Sequence, residues 1–202
     1  MRKLILETQV SIDGFIAEPD GNTNWMIWNW GPDWAWANEL QKHHTDLTLS
    51  ADTILISRQM AEEGFIAHWQ KASEDSASPQ FTFANHVTKT QKVVFSNTLT
   101  KSAAIPGGWD TATIASGNLT ESINLLKSKP GKNILVYGGA TLVSSLIKER
   151  LIDEFHILVN PVALGNGLSI FKSMTDKQNM ILLQSKSFSC GMVLLQYKQK
   201  TE

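Results

Sequence analysis

A short apolar run, two glycines and an amphipathic stretch follow one another between residues 134 and 149, and a second apolar run comes close behind. The first run is Ile134-Leu135-Val136-Tyr137, and Gly138-Gly139 ends it. Leu142, Val143, Leu146 and Ile147 then fall on one helical face, with Ser144, Ser145, Lys148 and Glu149 on the other. Phe155 to Val159 leads into Pro161. This order of strand, glycine turn, helix and strand predicts a βαβ unit with a parallel pair, and so an α/β fold. Glycines at such a turn let a ligand approach the backbone. The helix after them points free N–H groups and the positive end of its dipole at the same spot, which suits a phosphate or pyrophosphate. A plain strand-to-helix turn has the same sequence, so the pair alone leaves both uses open.

The familiar phosphate motifs are absent. The run Gly138-Gly139-Ala140-Thr141-Leu142-Val143 is not G-x-G-x-x-G, and no G-x-x-x-x-G-K-[ST] occurs. A formal net charge of -1 gives no basic field for nucleic acid. No stretch is long and apolar enough to span a bilayer. The single cysteine, Cys190, allows no internal disulfide and fits a reducing compartment, so the expected location is cytoplasmic. At 202 residues the chain is expected to form one domain, 1–202.

Further strands are predicted at Leu4–Val10, Thr53–Ile56, Lys92–Phe95 and Thr111–Ala115, with Phe15–Ala17 a brief resumption of the first. Met180–Gln184 and Met192–Tyr197 read as a closing hairpin around Ser189-Cys190-Gly191. Helical faces are predicted from Trp36, Leu40, His43 and Leu47, with Asp33 as the N-cap or first-turn acid, and from Leu119, Ile123 and Leu126. Pro79–Lys89 reads as a further helix and Ala67–Pro79 as a polar loop. The sum is an open mixed sheet, mainly parallel, with an antiparallel edge. Ligands in such sheets bind beyond the carboxyl ends of the strands. Those ends carry Ser57-Arg58, Ser96-Asn97, Ser116-Gly117 and Gly138-Gly139. Ser57, Ser96, Asn97 and Ser116 could hydrogen-bond phosphate or ribose oxygens, and Arg58 could fork onto a phosphate.

Five of the seven tryptophans lie at Trp25, Trp28, Trp30, Trp34 and Trp36. They serve either as packing for the first helix or as a lid that stacks on a flat heterocycle. Trp25 and Trp28 are the candidates for the lid and Trp36 for the core. His43-His44 cannot chelate together, because adjacent helical residues diverge, and no other ligand spacing exists, so no metal is expected.

Taken together, "SIDGFIAEPDG" (11–21), "SR" (57–58), "KVVFSNTL" (92–99), "VYGGATLVSSLI" (136–147), "LIDEFHILVNPVALGNG" (151–167) and "IF" (170–171) make the chain resemble the dihydrofolate reductase-like family. The branch it is most similar to contains the C-terminal reductase domain of riboflavin biosynthesis proteins. The resemblance implies a central, mainly parallel eight-stranded sheet flanked by helices, and NADPH as hydride donor. It implies that the pyrophosphate sits on Gly138, Gly139 and Ala140, near Thr141 and Leu142. Arg58 would face the 2′-phosphate, with Ser96 and Asn97 in the same pocket, and Ala17 and the loop after it would line the nicotinamide. The substrate side would hold Asp13, Trp25 and Trp28. Asp33 lies near the carboxylate that the folate-binding branch uses for proton handling, and is either that acid or a helix cap. The family's usual glycine before the arginine is Ser57 here, and no deaminase segment accompanies these 202 residues.

The expected function is therefore NADPH-dependent reduction of a small pterin-like or pyrimidine-like heterocycle, as in dihydrofolate reductase or 5-amino-6-(5-phosphoribosylamino)uracil reductase. The expected assembly, from the resemblance, is a homodimer. A nucleotide-binding module without turnover, serving as sensor or assembly partner, is the alternative.

Overall fold

The computed structural model describes residues 1–200. Eight strands form one sheet: β1 (Leu4–Val10), β2 (Ala51–Ser57), β3 (Gln91–Phe95), β4 (Ala112–Ala115), β5 (Asn133–Val136), β6 (Glu154–Val159), β7 (Met180–Ser187) and β8 (Val193–Gln199). Their order across the sheet is β4-β3-β2-β5-β1-β6-β8-β7. The pairs from β4 to β6 are parallel, while β6–β8 and β8–β7 are antiparallel. The mixed sheet with an antiparallel edge is thus as the sequence predicts.

One expected relationship is different. β5 and β6 do not pair with each other; β1 lies between them, with Leu6 opposite Val136 on one side and Phe155 on the other. The βαβ unit is present, but its crossover spans one strand. A local reading of the segment carries no information about a strand inserted from the far end of the chain.

Six helices complete the fold: α1 (Asn38–Leu49), α2 (Arg58–Glu62), α3 (Phe65–Ala72), α4 (Phe81–Lys89), α5 (Leu119–Ser128) and α6 (Ala140–Lys148). The alternation of side chains along the strands assigns them to two faces. Ile54 and Ile56 of β2 join a cluster with Leu40 of α1, Trp69 of α3, Phe83 of α4 and the tryptophans. Leu55, between them, joins Leu4, Leu6 and Val136 under α5 and α6. β1 is covered on both faces, as a central parallel strand must be. Each large apolar side chain buried there stabilises the fold by roughly 1.5–3 kcal/mol.

Two helical boundaries depart from the sequence reading. α1 starts at Asn38 with Ala37 in the cap position, so Asp33 caps nothing. Its buried face is Leu40, His44, Leu47 and Thr48, one residue away from the His43 face that a start at Asp33 implied. Residues 67–72, read as loop, belong to α3, whose Phe65, Ile66 and Trp69 supply the apolar face. The strand-like Phe15–Ala17 amounts to a single bridge, Ala17 to Leu168.

Candidate active site

The carboxyl ends of β4, β3, β2, β5 and β1 lie side by side; of the polar strand ends, Ser57 and Gly138-Gly139 meet at one cavity. A cavity of about 360 Å³ opens above β2, β5 and β1. Ser57, Gly138, Gly139 and Ala140 form one wall. Ala17, Trp30 and Trp36 face it from other sides, and Glu7, His44 and Tyr137 also line it.

The glycine turn is built by close approach. Gly139 has φ 86°, and a β-carbon on it would stand 2.6 Å from the Ser57 Cβ. Gly138 is freer: a β-carbon there would meet only Met60 Sδ, at 3.9 Å. No side chain caps α6, so the N–H groups of its first turn remain open toward the cavity wall. Thr141 is exposed at that turn, whereas the Leu142 side chain is buried in the apolar cluster beneath α6.

Ser57 lines the cavity, and its Oγ accepts from Met60 N at 3.2 Å as the cap of α2. Arg58 begins α2 and its side chain is half exposed. Its Nε donates to Glu62 Oε1 at 2.8 Å and its Nη1 to Thr98 Oγ1 at 2.7 Å. Ser96 Oγ accepts from Leu99 N at 3.0 Å, and Asn97 Oδ1 accepts from Gly117 N at 2.7 Å. The Ser116 carbonyl accepts from Ser122 Oγ at 3.4 Å. Arg58, Ser96, Asn97 and Ser116 therefore stand at the ends of β2, β3 and β4, outside the cavity. Ala17 lines the cavity itself.

On the substrate side the expectations need correction. Asp33 is exposed and does not line the cavity. Asp13 does not either: it accepts from Ser11 Oγ at 2.6 Å and from Gly165 N at 2.6 Å. These bonds hold its carboxyl down at about 2 and tie the end of β1 to the 162–167 loop. Trp28 is core, 2% exposed, with Trp34 stacked at 5.1 Å and Trp36 edge-on at 4.8 Å. Trp25 is half-buried away from the cavity. Trp30 and Trp36 take the lining role expected of Trp25 and Trp28. The irregular path of residues 20–37 sets which ring faces in, and no periodicity encodes that path.

The residues that sequence reasoning passed over lie at the cavity floor. Glu7 and His44 are each 3% exposed, and His44 Nδ1 stands 2.5 Å from Glu7 Oε2. Glu7 Oε1 and His44 Nε2 are buried without a partner. Trp36, Trp28, Trp34, Phe83 and Tyr137 surround the imidazole, with ring centroids 4.4–6.0 Å away. Tyr137 OH bonds Thr48 Oγ1 at 2.6 Å; burial, and then the charge of Glu7, hold its phenol well above the usual range. A signal existed: Glu7 interrupts the apolar run Leu4-Ile5-Leu6 at a position that alternation places on a buried face.

A doubly covered parallel sheet, a glycine turn at a helix N-terminus and a cavity at the strand ends are thus combined in one chain. The sequence profile of the RibD C-terminal domain matches residues 2–194. The chain belongs to that family. As a RibD C-terminal domain it is similar to two Bacillus subtilis (strain 168) proteins. It is 31% identical to the uncharacterized protein YyaP over 196 residues, covering 97% of this chain and 94% of YyaP. It is 29% identical to the uncharacterized protein YwjB, covering 93% of this chain and 92% of YwjB. Its fold superposes on a protein assigned to riboflavin biosynthesis from Shewanella sp. PV-4, with TM-score 0.72, 23% identity and 98% and 99% coverage of the two chains. A Thermotoga maritima diaminohydroxyphosphoribosylaminopyrimidine deaminase/5-amino-6-(5-phosphoribosylamino)uracil reductase gives TM-score 0.66 at 13% identity, over 98% of this chain and 57% of that one. The dihydrofolate reductase-like fold expected of the RibD C-terminal domain is the one present.

Proposed function

We propose that this RibD C-terminal domain protein is an NADPH-dependent reductase of a small planar heterocycle, pyrimidine-like or pterin-like. The observation that carries the reading is the two-sided cavity. One wall is an uncapped helix N-terminus behind a glycine pair; the other sides are Trp30, Trp36 and a buried carboxylate. The first suits a diphosphate, and the second suits a flat ring bearing N–H groups.

The residues present fit the nucleotide. The α6 N-terminus has free N–H groups and no competing side-chain cap. Gly138, Gly139 and Ala140 line the cavity, so a ligand there meets the turn's backbone. Arg58, Thr98, Ser96, Asn97 and Ser116 extend the crevice toward the place where a 2′-phosphate would lie. When bound, NADPH supplies a hydride to an unsaturated carbon of the substrate. The chain's own work is to orient the two rings between Ala17 and the tryptophans and to exclude water.

A homodimer is part of the same reading. β7 is an edge strand, and Ile181, Leu182 and Leu183 on it are 40%, 52% and 46% exposed. An unpaired apolar edge of this kind favours pairing with a second copy. No helix among the described residues is long and apolar enough to cross a membrane; with the single cysteine, this supports a cytoplasmic reading.

The test is NADPH absorbance followed against a panel of dihydrofolate and riboflavin-pathway aminopyrimidines, alongside NADPH titration by fluorescence. Substrate-dependent oxidation establishes the enzyme. Binding without oxidation by any compound favours the silent nucleotide-binding module. Absence of binding removes both.

A further inference from the structure

We propose that Glu7 and His44 are the proton-delivering pair of this site, with Glu7 Oε1 the atom that meets the substrate. The proposal rests on the reductase reading above and adds the source of the proton, which that reading leaves open once Asp33 is found exposed and away from the cavity.

The geometry is that of a pair with open valences. Burying a carboxylate is costly unless its oxygens are satisfied. A purely structural tie between β1 and α1 would satisfy both oxygens of Glu7. Here Oε2 is held by His44 Nδ1 at 2.5 Å, while Oε1 has no partner and the residue borders the cavity. His44 Nε2 is likewise unpartnered, inside a ring of aromatic side chains. Those faces attract an imidazolium and exclude the water that would otherwise solvate it. Unsatisfied buried polar atoms are rare, and at a cavity floor they mark a place kept for a ligand.

The chemistry balances as follows. Reduction of a C=N or C=O bond places a hydride from the nicotinamide nucleotide on carbon. The bond's electron pair moves to nitrogen or oxygen, which must take a proton. The loaded pair carries one proton more than a carboxylate with a neutral imidazole. That proton is shared between a Glu7 carboxyl beside neutral His44 and a Glu7 carboxylate beside imidazolium. Oε1–H gives it to the substrate atom, leaving a carboxylate that still accepts from Nδ1–H of neutral His44. Solvent restores the proton between turnovers. The other titratable groups around Glu7 are His43 on α1, Tyr137 after β5 and His156 on β6, which stands opposite Glu7 in the sheet. His43 and His156 are both held below their ordinary range, by burial first.

The test compares the full-length protein with Glu7→Gln and His44→Gln. NADPH affinity by fluorescence should stay within about twofold for both. For whichever panel compound the parent reduces, Glu7→Gln should lower kcat by roughly a hundredfold or more and flatten the fall in rate at high pH. His44→Gln, a change in the positioning partner, should retain more activity and move that limb. An infrared pH titration without substrate gives an independent readout: the parent should show a buried carboxylic C=O band that Glu7→Gln removes. Turnover of Glu7→Gln within about threefold of the parent, or an unchanged infrared titration, overturns the proposal. So does loss of NADPH binding together with activity, which would make Glu7 structural. If the parent reduces nothing, the reductase reading fails. The infrared band then decides separately whether the pair holds a proton.

Discussion

Gly139 and Ser57 are packed so closely that no side chain fits between them: a β-carbon on the glycine would sit 2.6 Å from the serine's Cβ and 2.7 Å from its Oγ. The turn that faces the cavity and the cap of α2 are thereby locked to one another. Gly139 also has φ 86°, a region that L side chains avoid.

The two glycines of the turn should therefore respond differently. Gly139→Ala, and more so Gly139→Val, is expected to cost about 2 kcal/mol or more of stability, a fall of roughly 4–8 °C in Tm. Gly138→Ala adds only an ordinary contact with Met60 and should fold like the parent. On the proposed function it weakens NADPH at least tenfold, read by fluorescence titration. Gly138→Ala is thus the variant that separates binding from folding.

Arg58 is shared between Glu62 and Thr98. If it meets a 2′-phosphate, Arg58→Ala should weaken NADPH by roughly tenfold or more and leave NADH nearly unchanged, since bonds to charged groups contribute roughly 1.5–3 kcal/mol. Glu62→Gln should act in the opposite sense, because it removes the carboxylate that competes for the guanidinium. Equal losses for both cofactors in the first variant would assign Arg58 to a shared part of the nucleotide or to the fold.

Asp13 should make stability depend on acid. Its folded carboxyl is held at about 2 against an ordinary 3.8, through Ser11 first and then Gly165. A folded value below the unfolded one stabilises above the unfolded value and loses that contribution as pH falls through the folded one. Denaturation of the parent and of Asp13→Asn should thus differ near neutral pH and converge between about pH 4 and pH 2.

Light scattering at micromolar concentration should give about twice the 22.4 kDa chain mass. Leu182→Lys places a charge on the exposed β7 edge and should yield the monomer. A monomeric parent would remove the dimer from the reading.

Much of this architecture is legible in the residues. Most strands announce themselves by an apolar run, and β3, β5 and β6 are readable to within a residue or two because their ends carry turn chemistry. Most of the parallel order follows from helices between strands; β3 and β4 are parallel with no helix between them. Other features depended on distances in sequence that no local pattern spans. Glu7 looks like a polar break in a strand until His44, thirty-seven residues on, is seen beside it. In the sequence Trp28 reads as a lid candidate and Trp36 as core. Both are buried, yet only Trp36 reaches the cavity. Asp33 looked like a cap because Pro32 and an apolar rhythm surround it, but α1 begins five residues later, at Asn38.

The place of β1 has a consequence for how the chain is made. It is made before the other seven strands of the sheet, and its two neighbours begin at Asn133 and Glu154. Until most of the polypeptide has emerged, Leu4-Ile5-Leu6 has no native strand to pair with. Such distant pairing slows folding and prolongs exposure of apolar sequence. The β1 segment is therefore one on which a chaperone would act, and a synonymous codon change that delays translation between β1 and β5 should lower the yield of soluble protein more than the same delay placed after β6.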